Sequence, residues 1–319
     1  MFRSLLALCL FTMLSGGAFD AVNAQSESGT VFRDCAYCPE MIVIPPGSYT
    51  KGSPPGQAVS VGTPERDARN ETPQEEVTVT KAFAVSIHEV TRAQFAAFVA
   101  DAGYDPDWEC ITWNFADNVW GARDTIWSWD SPGFEQGSDH PVVCVSFTDA
   151  SAYVDWLSQQ TGQSYRLLTD IEWELIARDS TQSMRPWPNG EDASAACAYA
   201  NVTDLDAADI LKIDAGDPEK YVFPCRDGFA LTAPVGSFPA NGYGVHDIIG
   251  NAWEWVEGCM YTVPEDGSEA FENCDERLIR GGAWQAKSWY VRSAKRDWAP
   301  FWLRSARVGL RIARDLSPL

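Results

Sequence analysis

The chain has 319 residues, 45% hydrophobic and 22% charged, a balance that excludes intrinsic disorder and provides for a large buried core. Lysine and arginine total 24 against 45 aspartates and glutamates, giving a formal charge of -21. Such a field repels phosphate backbones and anionic lipid, so it argues against nucleic acid and membrane surfaces and suits cations such as calcium. The 14 tryptophans point to an aromatic interior or cleft.

The N-terminus carries Arg3, then a short apolar run over residues 5–14, then small residues ending in Val22-Asn23-Ala24. This pattern predicts a signal peptide over residues 1–24 with cleavage before Gln25. The run is too short to span a bilayer. Cys9 sits too early within it to be a lipidated cleavage-site cysteine. The mature protein is therefore expected to be periplasmic or secreted, without a membrane span. Export also changes how the cysteines read. Without Cys9, eight remain, an even number in an oxidising compartment, which predicts disulfides. Sequence leaves the pairing open. The simplest scheme joins neighbours: Cys35 with Cys38, Cys110 with Cys144, Cys197 with Cys225, and Cys259 with Cys274. Cys35-Ala-Tyr-Cys38 reads as a small structural disulfide, since no second such pair completes a zinc site and no thioredoxin-like context surrounds it.

Residues 25–37 read as a loose N-terminal segment, 38–315 as one domain and 316–319 as a tail. Residues 41–44 form an apolar strand turned back by Pro45-Pro46-Gly47. Residues 52–74 read as a long loop. Val77 and Val79 alternate with threonines, and a strand continues over 82–87. A helix is predicted over 91–101, with Thr91 as N-cap, Gln94 completing a capping box, and Phe95, Phe98 and Val99 buried. Residues 104–143 hold many tryptophans with Asp and Gly and read as irregular but ordered. A second helix is predicted over 148–160, ended by Gly162. A third runs from Thr169 to about Arg178, with Glu172 in its capping box. Residues 185–319 read as loops and short strands. Helices early and loops late indicate an α+β class.

Familiar catalytic constellations are absent: no H-E-x-x-H, no G-x-S-x-G elbow, no Walker loop and no G-x-G-x-x-G fingerprint. His88, His140 and His246 are far apart in sequence and read as ordinary, partly buried histidines. Asn201, Asp204, Asp206, Asp209, Asp214, Asp217 and Asp227 are dense around the stretch from Cys197 to Cys225; without EF-hand spacing they read equally as oxygen donors for calcium or as a solvated acidic loop.

The segment from Asn241 to Trp255, NGYGVHDIIGNAWEW, resembles the signature of the formylglycine-generating enzyme family, also called sulfatase-modifying factors. Supporting pieces follow in the family's order: MIVIPPGS from Met41, EVTRAQF from Glu89, PVVCVS from Pro141, YRLLTDIEWE from Tyr165, RGGAW from Arg280 and VGLR from Val308. Together they cover roughly residues 38–315. The resemblance implies a single compact α+β domain related to the C-type-lectin-like fold, with little regular secondary structure. It also implies two structural calcium ions. The first would be held by side chains of Asn201 and Asp227 and carbonyls of Val202 and Phe229. The second would use carboxylates of Asp247 and Glu254 and carbonyls of Gly250 and Ala252.

The family's oxidase chemistry uses copper(I) on two cysteines, soft ligands for a soft ion. The matching positions here are Ala286 and Val291, so copper is not expected. Ala283 replaces a family serine, and Arg307 a family asparagine. Three functions follow from this reading. One is an exported binding or accessory module for a peptide, glycan or small molecule, with its cleft lined by the tryptophans of 108–129 and by Trp284, Trp289, Trp298 and Trp302. Another is an oxidoreductase acting on a peptide or siderophore-like substrate, with Lys287, Tyr290, Arg292, Arg296 and Arg307 as candidate groups. The alternative for those arginines is ion pairing with acidic loops. The third is a formylglycine generator whose Cys259 and Cys274 are free.

Overall fold

Backbone hydrogen bonding assembles two main sheets, seen in a computed structural model that describes residues 27–107, 109–124, 127–179, 181–185, 192–217, 222–262 and 271–316. The signal peptide expected over 1–24 lies outside the described residues. One sheet has five strands in the order Val31–Phe32, Met41–Ile44, Phe83–Ser86, Ile312–Asp315, Tyr165–Leu167, all neighbours antiparallel. The other has four, in the order Asp297–Pro300, Phe271–Arg280, Trp253–Thr262, Val308–Leu310, with the last pair parallel. Only Arg311 separates Val308–Leu310 from Ile312–Asp315, so one residue links the two sheets.

The three longest helices start where local chemistry directs. Thr91, Ser146 and Thr169 each accept a hydrogen bond from the third residue of their helix, whose side chain returns one. Each such cap is worth about 1 kcal/mol. Helix Arg92–Ala102 ends at Gly103 and helix Phe147–Thr161 at Gly162, both left-handed. The second helix begins one residue before the expected 148, because Ser146 with Asp149 forms the box. Phe98 of the first helix meets Tyr153 and Trp156 of the second at ring distances of 5.7 and 5.5 Å. The third helix spans Asp170–Arg178.

Elsewhere the chain is more regular than its sequence suggests. The 52–74 loop carries two single-turn helices, Gln57–Ser60 and Glu65–Ala68, and Ser53 N donates to Glu71 O across its base. Residues 104–143 include a hairpin, Cys110–Asn114 with Val119–Asp124. The late region contains the ten-residue strands Trp253–Thr262 and Phe271–Arg280 and the helix Leu205–Leu211. The segment expected to be loose includes Val31–Phe32, paired to Met41 and Ile42. Strands Glu75–Val79 and Phe83–Ser86 are separate, in different sheets. The eight cysteines from Cys35 onward pair with their neighbours, as the simplest scheme has it. Cys259 and Cys274 are therefore not free thiols.

A buried ionic cluster joins the helix Asp170–Arg178 to the four-stranded sheet. Glu174 Oε1 accepts from Arg178 and from Gly52 N, and Oε2 accepts from Arg280 at 2.9 Å and Arg296 at 2.6 Å. Arg296 also donates to Asp170 at 2.9 Å. Glu174 and Arg280 are fully buried. Removing one member of such a cluster leaves charge uncompensated. Glu174→Gln is expected to cost about 3–5 kcal/mol, read as a lower urea midpoint with an unchanged slope.

Candidate functional site

The loop 247–251, which leads into the strand Trp253–Thr262, is built from an unusual backbone. Asp247 and Asn251 have φ of 54° and Gly250 has φ of 91°. A Cβ on Gly250 would stand 2.4 Å from the Asn201 carbonyl oxygen, so only glycine fits that approach. Non-glycine residues in this region cost free energy and persist where surrounding contacts impose them. Here Asn251 supplies those contacts. Its Nδ2 donates to Glu89 Oε1 at 3.0 Å, its Oδ1 accepts from Asn201 Nδ2 at 3.0 Å and from Ala233 N at 2.9 Å, and its amide donates to Asn201 O.

Around this loop lie three buried carboxylates, Glu89, Asp247 and Glu254. Arg311 is the guanidinium that acts on all three. Its Nε donates to Glu254 Oε1 at 2.8 Å, and its other nitrogens donate to the carbonyls of Ser86, Ile87 and His246. Glu254 Oε2 accepts from Trp173 Nε1 at 2.7 Å. Burial, then Asp247, pushes Glu89 well above the ordinary carboxylate range. Burial likewise raises Asp247 and Glu254. Asp247 Oδ2 accepts from Gly236 N, but Asp247 Oδ1 and Glu89 Oε2 are buried with no hydrogen-bond partner. Such orphaned oxygens are costly unless a cation meets them. Asn201 Oδ1 is orphaned as well. Beside it Asp227, raised to about 7 by burial, accepts from Val202 N and Phe229 N. The orphaned oxygens of Glu89, Asp247 and Asn201 are hard donors of the kind that calcium takes.

Sequence reading named Asn201, Val202, Asp227, Phe229, Asp247, Gly250, Ala252 and Glu254 for these two sites, and the fold brings their segments together. It missed Glu89 and Asn251. Glu89 is 158 positions before Asp247 (247 − 89), and only the fold joins them. Cys197 lies beside Asp204 and Asp227, but its sulfur belongs to the disulfide with Cys225, which ties this loop together. Among the described residues no three-histidine site forms. His88 and His246 pack with rings 5.0 Å apart, while His140 contacts Thr232.

The second region is the turn after Arg280. Ala283, Ala286 and Val291 are buried. Ala286 N donates to Thr203 Oγ1 at 2.7 Å, and that hydroxyl is also within 2.8 Å of Ala286 O. Alkyl groups occupy the positions where the resemblance implies thiolates. Next to them, Arg307 lies 3.8 Å from the centre of the Trp120 ring and donates to Gln285 Oε1 at 2.9 Å. Its Nε is buried without a partner. Tyr290 stacks on Trp289 at 3.8 Å and meets Trp253 edge-on at 5.4 Å. Burial, then Asp297, raises its phenol.

The candidate arginines separate. Arg292 spends every donor on protein: Nε on Trp289 O, and Nη1 and Nη2 on Ser53, Thr63 and both oxygens of Glu71. It pins the 53–71 segment and has nothing left for a ligand. Arg296 belongs to the Glu174 cluster. Arg307, half-buried against Trp120, is not tied to any carboxylate among the described residues and keeps a buried Nε without a partner. The tryptophans separate too. Trp284 and Trp289 are core residues, Trp302 is half exposed, and Trp298 lines a different cavity of about 490 Å³ with Lys51, Arg69, Asp170 and Arg296. Trp108 lies outside the described residues.

Lys295 was not singled out from sequence. Its Nζ is buried with no hydrogen-bond partner, 5.2 Å from the ring centres of both Trp289 and Tyr290. An isolated buried ammonium costs several kcal/mol. Two flanking rings return only about 2 kcal/mol each at best. Burial accordingly pulls Lys295 below its ordinary value.

A family model described as "Sulfatase-modifying factor enzyme 1-like domain" matches residues 27–316. The chain belongs to this family. It is 34% identical to a formylglycine-generating enzyme of Mycobacterium tuberculosis over 259 residues, 70% of this chain and 75% of that one. It is 30% identical to the inactive C-alpha-formylglycine-generating enzyme 2 of Bos taurus, over 72% and 74% of the two chains. Among solved structures it is similar to PvdO from Pseudomonas aeruginosa, with 34% identity, a TM-score of 0.71, and coverage of 91% of this chain and 100% of that one. Within this family, the chain carries buried alkyl side chains at 286 and 291.

Asn251 tests how far the oxygen-rich loops depend on one amide. Asn251→Ala leaves several buried partners unsatisfied and is expected to cost about 3 kcal/mol, whereas Lys81→Ala on the surface should change stability by about 0.5 kcal/mol or less. Thermal melts of the two variants make the comparison.

Proposed function

We propose that this chain is an exported, calcium-braced member of the sulfatase-modifying family that does not make formylglycine by copper chemistry. It acts as a binding or accessory module for a peptide, glycan or small-molecule ligand, received in the cleft of Trp120, Tyr290 and Arg307. The observation that carries this reading is the buried alkyl side chains of Ala286 and Val291 at the positions where the resemblance implies copper cysteines, with the eight cysteines from Cys35 onward held in disulfides. Copper(I) selects soft sulfur ligands, and the cleft offers none. Similarity to a relative described as inactive agrees with it.

Calcium has a bracing role in this reading. Asp247, Glu254 and Glu89 would supply carboxylates at one site, with the carbonyls of Gly250 and Ala252. Asn201 and Asp227 would serve the other, with the carbonyls of Val202 and Phe229. The ions neutralise acidic loops that hold the cleft walls in place. Export is supported by the four disulfides, which persist in oxidising compartments. Among the described residues no helix is long and apolar enough to cross a membrane.

A second reading, an exported oxidoreductase acting on a peptide or siderophore-like substrate, rests on the continuous ring contacts Trp289–Tyr290–Trp253 beside Arg307. One pair of experiments separates the readings. The wild-type protein, given copper(I) and a cysteine peptide of sulfatase type, is expected to bind no stoichiometric copper and to leave the cysteine unconverted by mass spectrometry. The Ala286→Cys/Val291→Cys double variant is expected to gain copper binding. Stoichiometric copper on the wild type, or formylglycine in the peptide, would contradict the proposal. Oxygen uptake with peptide substrates would favour the oxidoreductase.

A further inference from the structure

Lys295 is a buried nucleophilic group that the binding reading leaves unused. It is 1% exposed, and its Nζ has no acceptor. The charged groups facing it are Asp297, at the start of the strand Asp297–Pro300, Glu71 and Asp67 from the 53–71 segment, and Arg292. None of them pairs with it. Both oxygens of Glu71 are on Arg292, and Asp67 lies 3.3 Å from Arg66. Burial holds Asp297 toward its protonated form. The aromatic wall is Trp289 and Tyr290, and Tyr290 is also a wall of the proposed cleft. A lysine in such a place is the setting in which an amine acts as a nucleophile toward carbonyl compounds.

We infer that Lys295 captures an aldehyde or ketone ligand by forming an imine. The inference rests on the cleft reading for the path by which the ligand enters, and it adds a substrate class to that reading. The Nζ lone pair attacks the carbonyl carbon, and the carbonyl oxygen takes the proton that the newly cationic nitrogen sheds. The resulting carbinolamine loses its hydroxyl as water, with a proton from Asp297. Nitrogen then releases its last excess proton back to Asp297. The net change is amine plus carbonyl giving imine plus water, without oxidant or reductant. On its other side Lys295 faces Glu71 and Asp67 of the 53–71 segment, which is fastened through Arg292 to Ser53, Thr63 and Glu71.

The test uses the intact, disulfide-bonded mature protein with acetaldehyde and cyanoborohydride, followed by peptide mass spectrometry of each lysine. Exposed lysines have values near about 10.4, so at pH 7 fewer than about 0.1% of them are neutral. Lys295 is expected to be alkylated at least about tenfold faster at pH 7 than the exposed Lys81 and Lys287. That advantage should shrink as the pH approaches about 10 and the surface amines lose their protons. Lys295→Met, which fills the same space with apolar atoms, should lose only that adduct. The inference is overturned if Lys295 stays unmodified while Lys81 and Lys287 react, or if its rate rises with pH in step with theirs. Acetaldehyde carries no aromatic or charged group. Failure here therefore removes the imine and leaves the cleft reading, which is tested on other residues, untouched.

Discussion

Arg311 is the residue on which the two sheets depend. The chain passes through it from the four-stranded to the five-stranded sheet, and its guanidinium lies fully buried at the crossing. It binds Glu254 on the long strand of one sheet and the carbonyls of Ser86 and Ile87 at the end of a strand in the other. One positive charge faces three buried carboxylates, however, and Asp247 and Glu89 each keep an oxygen without a partner. In a low-dielectric interior that imbalance is tolerable only through protonation or a bound cation. A bound cation would satisfy these oxygens without protonating them.

The same economy runs through the rest of the molecule. Regular structure is modest, and buried ionic contacts hold long irregular segments. Glu174 gathers Arg178, Arg280 and Arg296. Arg292 fastens the 53–71 segment. Asp149 caps its helix and receives Arg304. Four disulfides close loops that would otherwise be free to move. Such a scaffold keeps its shape without the cysteine pair of the family's oxidase chemistry. Thr203 and the alkyl groups of Ala286 and Val291 fill that corner, and the neighbouring surface keeps aromatic rings and Arg307.

What the sequence made legible was local. Thr91 with Gln94 and Thr169 with Glu172 announce helix starts within four residues, and Gly103 and Gly162 end helices where a left-handed residue is needed. The disulfides pair neighbours, so proximity in sequence was a sound guide. The long strands Trp253–Thr262 and Phe271–Arg280 were not legible, because buried Glu254 and Arg280 and exposed Glu257 obscure an apolar pattern. Glu89 and Asn251 became visible as partners only through folding. Lys295, within a run of arginines, reads as a surface charge until its burial is seen. The tryptophans announce an aromatic interior, but which of them line a cleft depends on packing: Trp284 and Trp289 went to the core and Trp120 to Arg307.

The central claim is that bound calcium, with copper excluded, completes the carboxylate-rich loops around Arg311. Elemental analysis of the protein, purified without chelator and then melted before and after chelation, tests it most directly. The account predicts about two calcium ions per chain, no copper, and a melting temperature that falls on chelation and recovers when calcium is returned. A protein that carries no calcium and melts identically with and without chelator would contradict it.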